Sequence, residues 1–154
     1  MTINVYSSAP DFTLKDSEGN DVSLSDFKGE PVLILFFPLA FSGVCTKELC
    51  YVRDQISNYN QLNVKILAIS VDSFFTLAEF KKQQQLNFKL LSDFNKEVSK
   101  EYGAYYDEFF GMHGVSKRSA FIVDRDGIIV YTEVLDRASE VPNFEAIQGV
   151  INGL

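Results

Sequence analysis

The chain has 154 residues, 46% of them hydrophobic and 23% charged, which suits one globular domain with one core. Its 14 basic and 21 acidic side chains leave a net charge of −7, a balance that repels phosphate backbones and anionic lipid and argues against nucleic-acid or membrane partners. No apolar run approaches the roughly 18 residues of a membrane span and no cationic leader opens the chain, so a cytoplasmic protein is expected.

Strands and helices alternate along the sequence without repeats, low-complexity tracts or linkers, so residues 1–154 are expected to form a single domain. Phe12-Thr13-Leu14 and Val22-Ser23-Leu24 flank the turn-rich Ser17-Glu18-Gly19-Asn20, which predicts an opening β-hairpin. Val32 to Phe37 is continuously apolar, as a central parallel strand buried on both faces should be, and Val64 to Ser70 repeats the pattern after a first helix. Asp72 or Ser73 can cap a helix reaching to about Gln84, Phe88 to Leu91 forms the next strand, and Asn95 to Tyr102 a short helix ended by Gly103. Tyr102, Tyr105, Tyr106, Phe109 and Phe110 follow as an aromatic cluster expected mostly to pack in the core. His113, the only histidine, reads as a loop residue and offers no set of three or four metal ligands. Arg118 to Val123 and Ile128 to Glu133 enclose Asp124-Arg125-Asp126-Gly127, a strong hairpin signal, and Asn143 to Asn152 closes the chain as a helix. The order predicts an α/β fold with a central mixed β-sheet flanked by helices and an N-terminal β-hairpin.

Within this frame Pro38-Leu39-Ala40-Phe41-Ser42-Gly43-Val44-Cys45 sets one thiol at a strand-to-helix corner. The first N–H groups of a helix lack intrahelical partners and, with the aligned peptide dipoles, favour thiolate over thiol. Cys45 is therefore a candidate nucleophile. The only other thiol, Cys50, lies five residues on, and two close cysteines in a reducing compartment point to transient redox chemistry more than to a permanent staple. Against this stands the ordinary behaviour of free cysteine as a small buried hydrophobe.

Pro38, then the hydroxyl residue Ser42 four positions on, then Cys45 three further resembles the signature of the peroxiredoxins. Most members carry threonine at the position of Ser42. Glu48 and Arg118, within Lys117-Arg118-Ser119-Ala120-Phe121, also fall where that family places them, and the likeness runs from Ala9-Pro10-Asp11-Phe12 to the final helix. The resemblance implies a thioredoxin-like fold and a thiol-dependent peroxidase that uses neither metal nor organic cofactor. Two types are suggested: the spacing of Cys45 and Cys50 is similar to the bacterioferritin-comigratory or Q type, whereas Phe37-Pro38-Leu39-Ala40-Phe41 looks closer to the alkyl hydroperoxide reductase E type.

Such a reaction has definite demands. Cys45 must attack one peroxide oxygen while the other leaves as hydroxide or alkoxide, so charge migrates away from sulfur. Arg118 can hold the thiolate and hydrogen-bond the peroxide; the Ser42 hydroxyl and the backbone N–H groups near Val44 and Cys45 can donate to the developing charge. Pro38 can shield the sulfur from water, and Glu48 can orient the arginine, with a solvated first-turn acid as the alternative reading of Glu48.

Cys50 is the expected resolving thiol, with core packing as its alternative. On a regular helix five residues rise about 7.5 Å and turn about 140°, placing the two Cα atoms roughly 8.6 Å apart. A disulfide needs about 4.4–6.8 Å, so the helix must unwind for the pair to bond. The expected partners are a peroxide and thioredoxin or another dithiol reductant, for a monomer or homodimer. Alternatives are a one-cysteine cycle with an external thiol, a thioredoxin-like disulfide oxidoreductase, or a redox sensor.

Overall fold

The structure, a computed structural model, describes residues 3–154. The apolar run at 32–37 supplies the central strand β3 (Val32–Phe36), every residue of which is buried. It pairs in parallel with β4 (Lys65–Ser70), which pairs in parallel with β5 (Lys89–Ser92). In the predicted hairpin, β1 (Thr13–Asp16) pairs antiparallel with β5 and with β2 (Asp21–Ser23), and on the other side β8 (Ser119–Val123) pairs antiparallel with β3 and with β9 (Ile129–Val134). The sheet order is β2-β1-β5-β4-β3-β8-β9.

Side chains alternate across a strand, so β3 divides its burial between two cores. Leu33 and Leu35 face one layer with Leu49, Val52, Leu77, Phe80, Ile147 and Ile151. These come from α1 (Gly43–Asp54), α3 (Phe74–Gln84) and α5 (Phe144–Asn152). A short α2 (Ile56–Gln61) continues from α1 after Gln55. Val32, Ile34 and Phe36 face the opposite layer with Phe12, Leu24, Val98, Tyr102 and Ile129. Val98 belongs to α4 (Glu97–Glu101), which is shorter than the predicted 95–102 because Lys96 takes a left-handed backbone at φ 67. A mixed sheet with helices on both faces is the thioredoxin-like arrangement expected from the element order. Among the described residues no helix is long and apolar enough to cross a membrane.

One element departs from the reading of the sequence. The stretch around His113 is no loop: β6 (Tyr105–Phe109) and β7 (Met112–Ser116) form a separate antiparallel ribbon, with His113 opposite Glu108. Its turn, Phe110-Gly111, has φ of 50° and 80°, the double-positive geometry of a two-residue hairpin turn. The aromatic cluster divides accordingly. Tyr102 is buried in the second core, whereas Phe110 at the ribbon tip is 87% exposed.

Candidate active site

The polypeptide leaves β3 at Phe37, whose N–H donates to the Ile69 carbonyl at 2.9 Å, and must turn within five residues to start α1. Phe41 takes a left-handed conformation at φ 69 in this turn, which costs a non-glycine residue about 1–2 kcal/mol. Ser42 is the N-cap, and its carbonyl accepts from Thr46 N at 3.0 Å and from Thr46 Oγ1 at 2.8 Å. Cys45 is thus the third residue of α1. Cys45, Glu48, Leu49 and Val52 are the buried positions of the helix, the i, i+3, i+4, i+7 stripe that faces a core.

Arg118 reaches this stripe from the start of β8, whose Ser119 is paired with Phe36 at the end of β3. The register places the arginine where β3 gives way to the Cys45 helix. Its guanidinium is almost wholly buried and makes four contacts. Nη2 donates to Cys45 Sγ at 3.2 Å and to the Ala138 carbonyl at 3.0 Å, Nε donates to the same carbonyl at 3.2 Å, and Nη1 donates to Glu48 Oε1 at 2.5 Å. The fork on Ala138 fixes the plane of the group, so one edge is left for the sulfur and the carboxylate. A charge-assisted donor held against sulfur in a dry site stabilises negative charge there.

Glu48 is therefore no solvated first-turn acid. It is buried beside Arg118, one carboxylate oxygen is paired, and Oε2 has no hydrogen-bond partner. Burial pushes its carboxyl up to about 7, and Glu133 adds to that rise, while the Arg118 charge and hydrogen bond pull the other way. The guanidinium is itself pulled both ways, by burial against its charge and by Glu48 and Cys45 in favour of it, with a net upward shift. Arg118 therefore stays cationic, and the titrating partner of this pair is the carboxyl.

The remaining expected residues are placed unequally. Pro38 is buried in the turn. Ser42 is exposed at the helix start, and its hydroxyl donates to the Leu39 carbonyl at 2.8 Å, bracing the turn. Cys50 lies one and a half turns beyond Cys45 on the same unbroken helix, half-buried, with Sγ donating to Gln84 Oε1 at 3.5 Å. Both cysteines are free thiols. Arg53 ties the end of α1 to α3 by donating to the Gln84 carbonyl at 2.7 Å. The structure thus gathers Cys45, Glu48 and Arg118 into one buried cluster and leaves Cys50 outside it.

Ala138 was not legible in the sequence because it acts through its carbonyl, which every residue carries. A buried arginine with five N–H donors and one expected acidic partner was the only signal that further acceptors had to exist.

A cysteine held by a buried arginine at the start of a helix, on a thioredoxin-like sheet, defines the class as a thiol protein of that fold. The AhpC/TSA family profile matches residues 5–132, and the chain belongs to that family. It is 36% identical over 127 residues to peroxiredoxin Bcp of Escherichia coli, covering 79% of this chain and 79% of that protein. It is 39% identical over 125 residues to the chloroplastic peroxiredoxin Q of Oryza sativa subsp. japonica, covering 81% of this chain but 56% of the rice protein, so it spans little more than half of that relative's length. The reduced 2-Cys peroxiredoxin of Plasmodium vivax superposes with a TM-score of 0.86 at 28% identity, over 96% of this chain and 80% of that one. The relatives named Q and Bcp accord with the type suggested by the cysteine spacing.

Proposed function

We propose that the protein is a single-domain, thiol-dependent peroxidase that reduces hydrogen peroxide and organic hydroperoxides. The observation that carries this reading is the 3.2 Å contact from buried Arg118 to Cys45 Sγ, at the N-terminal end of α1. Cys45 thiolate attacks one peroxide oxygen, the O–O bond breaks, and the sulfur becomes sulfenic acid while hydroxide or alkoxide departs and takes up a proton. Arg118 is the donor at both ends of that charge transfer. Glu48 holds the guanidinium in plane, Pro38 keeps water from the sulfur, and the Ser42 hydroxyl turns from Leu39 to the departing oxygen.

Cys50 then attacks the sulfenic sulfur, forming the disulfide and releasing water, and a dithiol such as thioredoxin returns both thiols. Because α1 is continuous from Gly43 to Asp54, this second step requires unwinding, for the roughly 8.6 Å reason given above. The reading extends to a monomer or homodimer acting in the cytoplasm.

Peroxide consumption with a thioredoxin system tests the scheme in the native chain, Cys45→Ser and Cys50→Ser. Turnover is expected only in the native chain. Normal thioredoxin-driven turnover by Cys50→Ser would replace the two-thiol cycle by one in which an external thiol meets the sulfenate directly.

A further inference from the structure

Residues 38–41 are joined to another element by one hydrogen bond among the described residues: the N–H of Ala40 donates to Asp72 Oδ2 at 2.8 Å. Asp72 lies just past the C-terminal end of β4, 32 residues away. Its own placement is over-determined. The same oxygen accepts from Ser70 Oγ at 2.7 Å, the Asp72 N–H donates back to Ser70 Oγ at 3.3 Å, and the Asp72 carbonyl accepts from Ser92 Oγ, at the end of β5, at 2.6 Å. A relay from Ser92 through Asp72 to Ala40 therefore runs across the ends of neighbouring strands and stops at the turn before Cys45.

That turn is the one place near the sulfur where the backbone is strained, at Phe41, and a residue held in a sparse conformation needs its surroundings to keep it there. The Ala40 amide precedes the strained residue directly. The Phe41 ring, 5.1 Å from that of Phe80, and the Ser42 hydroxyl on Leu39 hold it from the other side.

We infer that Asp72 is a positioning residue of the peroxide site: by fixing the Ala40 amide it holds Pro38 and Ser42 in register with Cys45 and Arg118. It touches neither sulfur nor substrate. The inference rests on the peroxidase reading, since the geometry it protects is that of peroxide attack. A displacement near 1 Å at a reacting centre can cost about a hundredfold, so loss of one anchor beside it should be felt in rate.

The test is the second-order rate at which peroxide converts Cys45 to sulfenate in the full chain, trapped with dimedone and weighed by mass spectrometry. It is joined to residue-resolved exchange of the Ala40 amide. Asp72→Ala is expected to slow sulfenate formation about tenfold and to speed Ala40 exchange. Asp72→Asn retains an oxygen that can accept from Ala40 and Ser70, and is expected to stay within about threefold of the native rate with the amide protected. Should Asp72→Ala not fold, Asp72→Ser, whose hydroxyl is too short to reach Ala40, takes its place. A folded Asp72→Ala or Asp72→Ser protein with a native rate overturns the inference, as does an Asn variant as slow as Ala despite a protected Ala40. If the native chain forms no sulfenate, the peroxidase reading fails instead, and the exchange of Ala40 still reports whether Asp72 anchors the turn.

Discussion

The two thiols of α1 share a helix and lie five residues apart, yet they occupy different chemical settings. Cys45 is fully buried, contacts a permanently charged donor, and belongs to a cluster whose every member is pinned by another. Cys50 is half-buried, and its thiol makes one long contact, at 3.5 Å, with the neutral side-chain amide of Gln84. Identical side chains thus meet different chemical surroundings along one helix. The Cys45 end is held by the buried guanidinium, and the far end is tied to the end of α3 through Arg53 and the Gln84 carbonyl.

The sharpest way to break that contrast is Cys45→Ser. A serine alkoxide is scarce at neutral pH, so peroxide consumption should vanish, and retention of more than a trace would transfer the reaction elsewhere. Arg118→Met comes next. It removes the charge and keeps much of the stem, so the fold should persist while the rate of sulfenate formation falls by about 10²–10³, the scale of one preorganised donor. Stopped-flow rates within twofold of native would take Arg118 out of the chemistry.

Cys50→Ser sharpens the comparison from the other side. The first oxidation should proceed at close to the native rate, while recovery by thioredoxin stops and sulfinate accumulates under excess peroxide. In the native chain, oxidation should speed amide exchange around residues 44–52, because the disulfide cannot close over an intact helix. Unchanged protection after oxidation would argue that Cys50 never meets Cys45.

The smallest expected effect concerns pH and stability. The carboxyl of Glu48 is raised from its ordinary 4.5 to about 7 in the fold, so the folded state binds more protons than the unfolded state between those values. Its contribution is fully present below about pH 4.5 and is lost as pH rises through about 7. Glu48→Gln keeps the shape and removes the titration. The melting temperature of the variant should therefore gain on that of the native chain between about pH 5 and pH 8. A native chain that gains instead would mean that Arg118 holds Glu48 ionised throughout.

Much of this architecture was legible for simple reasons. A short uninterrupted run of β-branched, leucine and aromatic residues suits a strand covered on both faces, and β3 is one. Asp124 to Gly127 announced the β8–β9 hairpin through its turn chemistry. The β6–β7 ribbon escaped because its strands mix Tyr, Asp, Glu and His without clean alternation, and the informative residue was Gly111 behind Phe110. In the site, Cys45, Glu48 and Arg118 carry side chains whose chemistry can be read. Ala138 and Ala40 work through backbone groups, which leave no mark on a sequence, and Asp72 looked like a helix cap until Ser73 was seen to take that role, with Thr76 N donating to Ser73 Oγ at 3.2 Å.

The fork between Arg118 and the Ala138 carbonyl also sets an order of assembly. A ribosome that has delivered everything through β9 has made both thiols, the arginine and its carboxylate partner, but Ala138 lies four residues beyond the end of that strand. Until that stretch folds back, the guanidinium lacks the carbonyl on which its Nε and Nη2 converge.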